Sequence, residues 1–66
     1  MNIVIRNKRN EIVDIWADWS GVVPVIGDTI VVRTGDHREI TLHKVVLGRF
    51  IDVNKPEKVI LIIDFQ

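Results

Sequence analysis

The chain has 66 residues, with nine Lys and Arg against nine Asp and Glu, no cysteine and an apolar fraction of 47%. A chain this short buries only about 60% of the surface its unfolded form exposes, so it has material for one core, and residues 1–66 are expected to form a single small β-barrel domain. The missing cysteine excludes disulfide staples, thiolate zinc sites and cysteine nucleophiles, and zero net charge argues against a partner held mainly through phosphate contacts.

In chain order, residues 2–6 read as a short strand, and the polar cluster 7–10, with asparagine at both ends, predicts a hairpin loop. Segment 11–19 reads in two ways. With period two, Val13, Ile15, Ala17 and Trp19 line one apolar face, while Asp14 and Asp18 lie on the other beside Ile12 and Trp16. With period 3.6, Ile12, Ile15, Trp16 and Trp19 form a helical stripe, with Asn10 as its N-cap and Ser20-Gly21 as its stop. The hairpin-length loop before it, and the marginal stability of so short an isolated helix, favour the strand.

Pro24 then fixes its own φ and pushes Val23 towards an extended conformation. Gly27 provides a backbone position free of Cβ sterics and Asp28 a side chain able to accept from a nearby N–H, so a tight turn feeds the strand at 29–33, four of whose five residues are β-branched. Gly35 suits the loop at 34–38, which closes a second hairpin. The return strand, 39–50, changes phase: Ile40 and Leu42 share one parity, Val45 and Leu47 the other. A bulge near His43-Lys44 is expected to keep both pairs inward, and Gly48 marks a second bend. A turn at 52–57, kept out of any ladder by Pro56, delivers the last strand, 58–65. The unbroken apolar run from Val59 to Ile63 predicts a strand buried on both faces, or one whose second face meets another molecule.

Apolar residues occur at both parities in four of these strands, so one open sheet with a wet back is excluded and the sheet must curl. The expected fold is all-β: a small, five-stranded, antiparallel, partly open barrel, with an oligomeric sheet as the other way to cover the surplus apolar face. The run from Val25 through Gly27-Asp28 to Val32, followed by a loop and a strand containing Lys44-Val45-Val46, resembles the small SH3-like barrels in which a Gly-Asp turn opens the second strand. The chain is also similar to short bacterial β proteins often encoded near phage-like or mobile elements. With no tyrosine, it lacks the aromatic groove with which signalling SH3 domains take proline-rich ligands, and its nearly neutral 34–38 loop departs from the basic loops of RNA-binding relatives.

Candidate site residues are few. Trp16 and Trp19, beside Asp14 and Asp18, make the densest unusual cluster; Trp19 as core filling with Trp16 covering an edge is one role, and a partner contact is the other. His37 and His43 lack the spacing of a zinc signature, Ser20 lacks a nucleophile context, and a barrel this small fills its interior with its own side chains. The acids are scattered singly at turns and strand edges, and acid–base work would need two of them to meet in space, for example Asp28 with Asp36. No catalytic, cofactor-binding or metal-binding residue is therefore expected. Lys8, Arg9 and Arg38 would form a basic patch, flanked by Phe50 or Trp16, if both hairpin loops lie at one end of the barrel.

The expected function is a non-catalytic module for protein–protein interaction or assembly, acting through strand edge and a surface including Trp16, Trp19, Arg38 and Phe50, with Pro24, Gly27 and Asp28 as its structural turn. The alternative is a single-stranded nucleic-acid binder using the loop cations and an aromatic. Near-neutrality and the surplus apolar face point to a homo-oligomer. Segment 1–6 is too short and too soon charged for a signal peptide, and no run approaches the ~20 residues of a spanning helix. No membrane association is expected, and a cytoplasmic location is.

Overall fold

The computed structural model describes residues 1–54 and 57–65. It contains five strands, β1 (Asn2–Asn7), β2 (Ile12–Trp16), β3 (Thr29–Thr34), β4 (Ile40–Asp52) and β5 (Lys58–Ile63), with no helix among the described residues. They form one curled sheet in the order β2-β1-β5-β4-β3, so β2 and β3 are its edges. The curl brings those edges back towards each other, leaving a seam between them.

The sheet is mixed, which corrects the antiparallel expectation: β5 runs antiparallel to β4 but parallel to β1, with Ile3 opposite Val59 and Ile5 opposite Leu61. When direction reverses at every connection, the first and fifth strands point the same way. Placing them side by side leaves only a parallel ladder. The consequence is that β5, the most apolar segment, occupies the centre and joins the β1–β2 and β3–β4 hairpins.

Alternation along β5 puts Val59, Leu61 and Ile63 into the core with Ile3, Ile5, Ile30, Val32 and Val46, each at most 6% exposed. Lys58, Ile60 and Ile62 face outward and are half-buried.

Within β4 the bulge lies elsewhere than expected. Pairing with β3 is unbroken from Ile40 to Val45, so Leu42 and Val46 face inward while Val45 and Leu47 stay nearly half-exposed. The shift comes between Val46, opposite Ile63, and Gly48, opposite Ile62, so the extra residue is Leu47 and not one at His43-Lys44. Reading Val45 and Leu47 as core residues misplaced it. Beyond the bulge Arg49 turns to the inner face opposite Leu61, and its Nε is buried with no hydrogen-bond partner among the described residues.

Segment 11–19 is neither nine residues of strand nor helix. The strand stops at Trp16, and Asp18, at φ 55°, turns the chain so that the Trp19 N–H donates to the Met1 carbonyl (2.7 Å). Val13 and Trp19 pack on the core as the period-two reading expects, but between them the facing is inverted: Asp14 and Trp16 point inward, opposite Ile5 and Ile3, while Ile15 is 49% exposed. The Pro56 turn lies outside the described residues.

Candidate functional site

The seam between β2 and β3 is where the unusual side chains gather. Its upper part is closed by Asp14, which is 5% exposed and stands on β2. One carboxylate oxygen accepts from the Ile15 N–H (2.8 Å) and Arg38 Nη1 (2.8 Å), and the other from Trp16 Nε1 (3.2 Å), the Arg33 N–H (3.2 Å) and Arg38 Nη2 (3.4 Å). A side chain thus replaces the ladder the two edge strands lack. The buried charge is tolerated because its lone pairs meet donors, including a two-pronged guanidinium.

Below Asp14 the seam is open. Here Trp16, Trp19, Pro24, Ile30, Val31 and Arg33 line an apolar depression of about 450 Å³. Because β2 ends at Trp16 and the Asp18 turn follows, the two indoles do not diverge as they would on a continuous strand; their ring centroids lie 4.9 Å apart at 33°. Trp19 Nε1 donates to the Val22 carbonyl (3.2 Å), leaving the ring as an apolar wall. Both rings pack against the core as well as lining the depression.

Backbone polarity follows from the neighbouring turn. Gly27 takes φ 98°, the Asp28 N–H donates to the Val25 carbonyl (3.0 Å), and the Asp28 carboxylate accepts from the Val25 N–H (3.0 Å). The Val46 N–H in turn donates to the Asp28 carbonyl (2.8 Å). Since ladder bonds alternate along an antiparallel pair, Ile30, Val32 and Thr34 bond to β4, and Thr29, Val31 and Arg33 turn their N–H and C=O groups to the seam. The Arg33 N–H is held by Asp14. Those of Thr29 and Val31 face the open seam, where Val31 lines the depression.

The cations of the conditional patch are each paired with an acid. Lys8 pairs with Asp64 (3.7 Å), Arg9 with Glu11 (3.9 Å) and Arg38 with Asp14 (2.8 Å). Phe50 belongs to a different surface, where its ring lies over Gly48 beside Ile62. Asp28 and Asp36 sit beyond opposite ends of β3, so they do not form a pair. Among the described residues no three His, Asp or Glu side chains are grouped as metal ligands would be.

The structural roles of two buried polar residues, Asp14 and Asn7, are not legible in the sequence. The period-two reading places Asp14 on the face opposite Val13 and Ile15 and groups it with the tryptophans, but its burial and its bond to β3 leave no local signal. Asn7 is 3% exposed: its Oδ1 accepts from the Arg9 and Glu11 N–H groups and its Nδ2 donates to Glu11, so it organises the first hairpin from inside.

No family model, curated protein or solved structure matches the chain.

Proposed function

We propose that the chain is a non-catalytic, cytoplasmic β module that binds a protein partner by taking an extended segment of it into the lower seam, alongside β3. The observation that carries this reading is the coincidence of two adjacent indoles with the seam-facing N–H and C=O groups of Thr29 and Val31. Strand addition draws affinity from such edge groups and selectivity from pockets for alternate side chains. Asp14 limits the added strand to the lower seam, so the indoles must provide much of the anchoring. The Gly27-Asp28 turn and the long bent β4 support grouping it with small SH3-like barrels, while the parallel β1–β5 ladder sets it apart from purely antiparallel ones. The absence of cysteine supports the cytoplasm.

Panning a displayed library of extended peptides tests this reading. Selected peptides should quench tryptophan fluorescence, slow hydrogen exchange at Thr29 and Val31, and bind at least about tenfold more weakly to Val31→Pro, which deletes an edge donor at a position where an edge strand tolerates proline. Peptides that bind Val31→Pro undiminished, or salt-sensitive binding of single-stranded oligonucleotides in place of any peptide, would refute it.

A further inference from the structure

The outward side of the sheet carries a second surface, independent of the seam. Cross-strand pairing sets three rows there: Arg6, Ile62 and Gly48; Val4, Ile60 and Phe50; Asn2, Lys58 and Asp52. The middle row is wholly apolar and continues onto Ile15 of β2, with Phe50 58% and Ile15 49% exposed. Phe50 lies over Gly48, where an added Cβ would meet both the ring and Ile62 at 3.3 Å, so the glycine lets the ring lie flat on the sheet. Beside it an open groove of about 560 Å³ runs from Asn10 to Asn54 over Ile60 and Ile62.

The charges on this face have a pattern that selects the occupant. Arg6 and Asp52 stand at diagonally opposite corners, with Ile60 midway between them. Arg6 donates to the Asn10 carbonyl and has no carboxylate partner among the described residues. Asp52 Oδ1 accepts from the Asn54 N–H (3.0 Å), while Oδ2 is met only by Lys58 at 3.9 Å and the side chain is about one-third exposed. Take strands ~4.8 Å apart and rows ~6.6 Å apart. A two-fold axis lying in the contact plane, through Ile60 and at right angles to the Arg6–Asp52 diagonal, then carries each Arg6 onto Asp52 of a second copy. The same operation lays Phe50 near Ile62 of that copy, where the groove is. The same operation sets Lys58 over Val4 of the second copy, so the match rests on the two symmetry-related Arg6–Asp52 contacts and on Phe50 at the groove, each repeated by the isologous two-fold.

We propose that the outer face of β1, β5 and β4 is a homodimer interface, with Ile60 at the two-fold axis, Phe50 seated in the groove of the other copy and Arg6 paired with its Asp52. Three strands of this length span only ~15 by ~17 Å, below the ~800 Å² per partner of a standard stable interface, so the dimer is weak, half-formed near ~100 µM. Zero net charge leaves no general repulsion to oppose it.

Sedimentation equilibrium of the full chain from 10 to 1000 µM (about this range, to bracket the expected midpoint) tests the proposal, with circular dichroism and a cooperative melt confirming that each variant folds. Phe50→Glu, a change at an exposed position, should weaken dimerisation more than about tenfold, Arg6→Glu and Asp52→Arg each by roughly threefold to tenfold, and the combined Arg6→Glu/Asp52→Arg variant should recover most of that loss. Val31→Lys, at the seam, should leave it unchanged. A chain monomeric throughout, a dimer untouched by Phe50→Glu, a dimer lost in Val31→Lys, or a charge swap that restores nothing would each overturn it.

Discussion

The Asp14 carboxylate, with a side chain 1% exposed, lies 2.8 Å from the Arg38 guanidinium, whose own side chain is 55% exposed, so one half of this ion pair is core and the other is surface. That asymmetry predicts unequal mutational costs. Asp14→Ala strips acceptors from the Arg33 and Ile15 N–H groups and from the Trp16 indole and opens the seam, and should cost about 2–4 kcal/mol. Arg38→Ala leaves Asp14 its N–H donors but no counter-charge at a buried position, and should cost less, about 1–2 kcal/mol. Urea unfolding of both variants measures the difference, and equal losses would show that Asp14 acts only through Arg38.

Gly27 and Gly35 share φ 98° but not surroundings. An added Cβ meets nothing within 4 Å at Gly27, whereas at Gly35 it would stand 2.7 Å from the Glu39 carboxylate, which accepts from the His37 N–H. Gly27→Ala should cost about 1–2 kcal/mol from backbone strain alone. Gly35→Ala should cost about 1 kcal/mol more, through the displaced Glu39 hydrogen bond, and that excess should vanish when both variants are made on a Glu39→Ala background. Thermal unfolding of the paired variants checks it.

Arg49 is turned inward by the Leu47 bulge with its Nε unpaired. Replacing an unsatisfied buried donor by an apolar side chain of similar length removes a desolvation penalty, so Arg49→Met should be neutral or stabilising by up to about 1 kcal/mol. A loss above that value in denaturant titration would mean that the guanidinium makes an essential contact.

Parity along β5 separates two neighbouring residues of similar chemistry. Leu61 is fully buried, and Leu61→Ala should cost about 3 kcal/mol or more, enough to unfold much of a chain this small. Ile60 faces outward and is half-buried, so Ile60→Ala should cost about 1 kcal/mol in the monomer. Comparable losses would contradict the inward facing of Leu61.

A double-mutant cycle on Trp16 and Trp19 should return a coupling of about 0.5–1.5 kcal/mol, because the rings touch in a tilted arrangement at 4.9 Å. Additive losses would mean that each ring packs on the core alone.

Four strands are legible because each carries β-branched or alternating apolar residues bounded by Gly, Pro, Asn or Asp, which are local signals, whereas the segment holding β2 fits a strand and a helix period alike. The end of β2 is less legible still. Its last turn depends on Asp18 adopting a left-handed backbone while the Trp19 N–H reaches Met1, a contact eighteen residues apart in the chain. The bulge in β4 was misplaced for a related reason: parity shows that a phase change occurs in a strand this long, but its position depends on the pairing with β5.

Composition and periodicity by themselves determined an all-β chain, the need to curl, and a β5 apolar at every position from Val59 to Ile63, because side-chain alternation and turn chemistry act over a few residues. Only the tertiary structure decided that β5 would lie parallel to β1, that Asp14 would be buried at the seam, and that two indoles would share one depression. Each of these depends on which strands become neighbours. That choice is made by the packing of the whole core, and no local pattern records it.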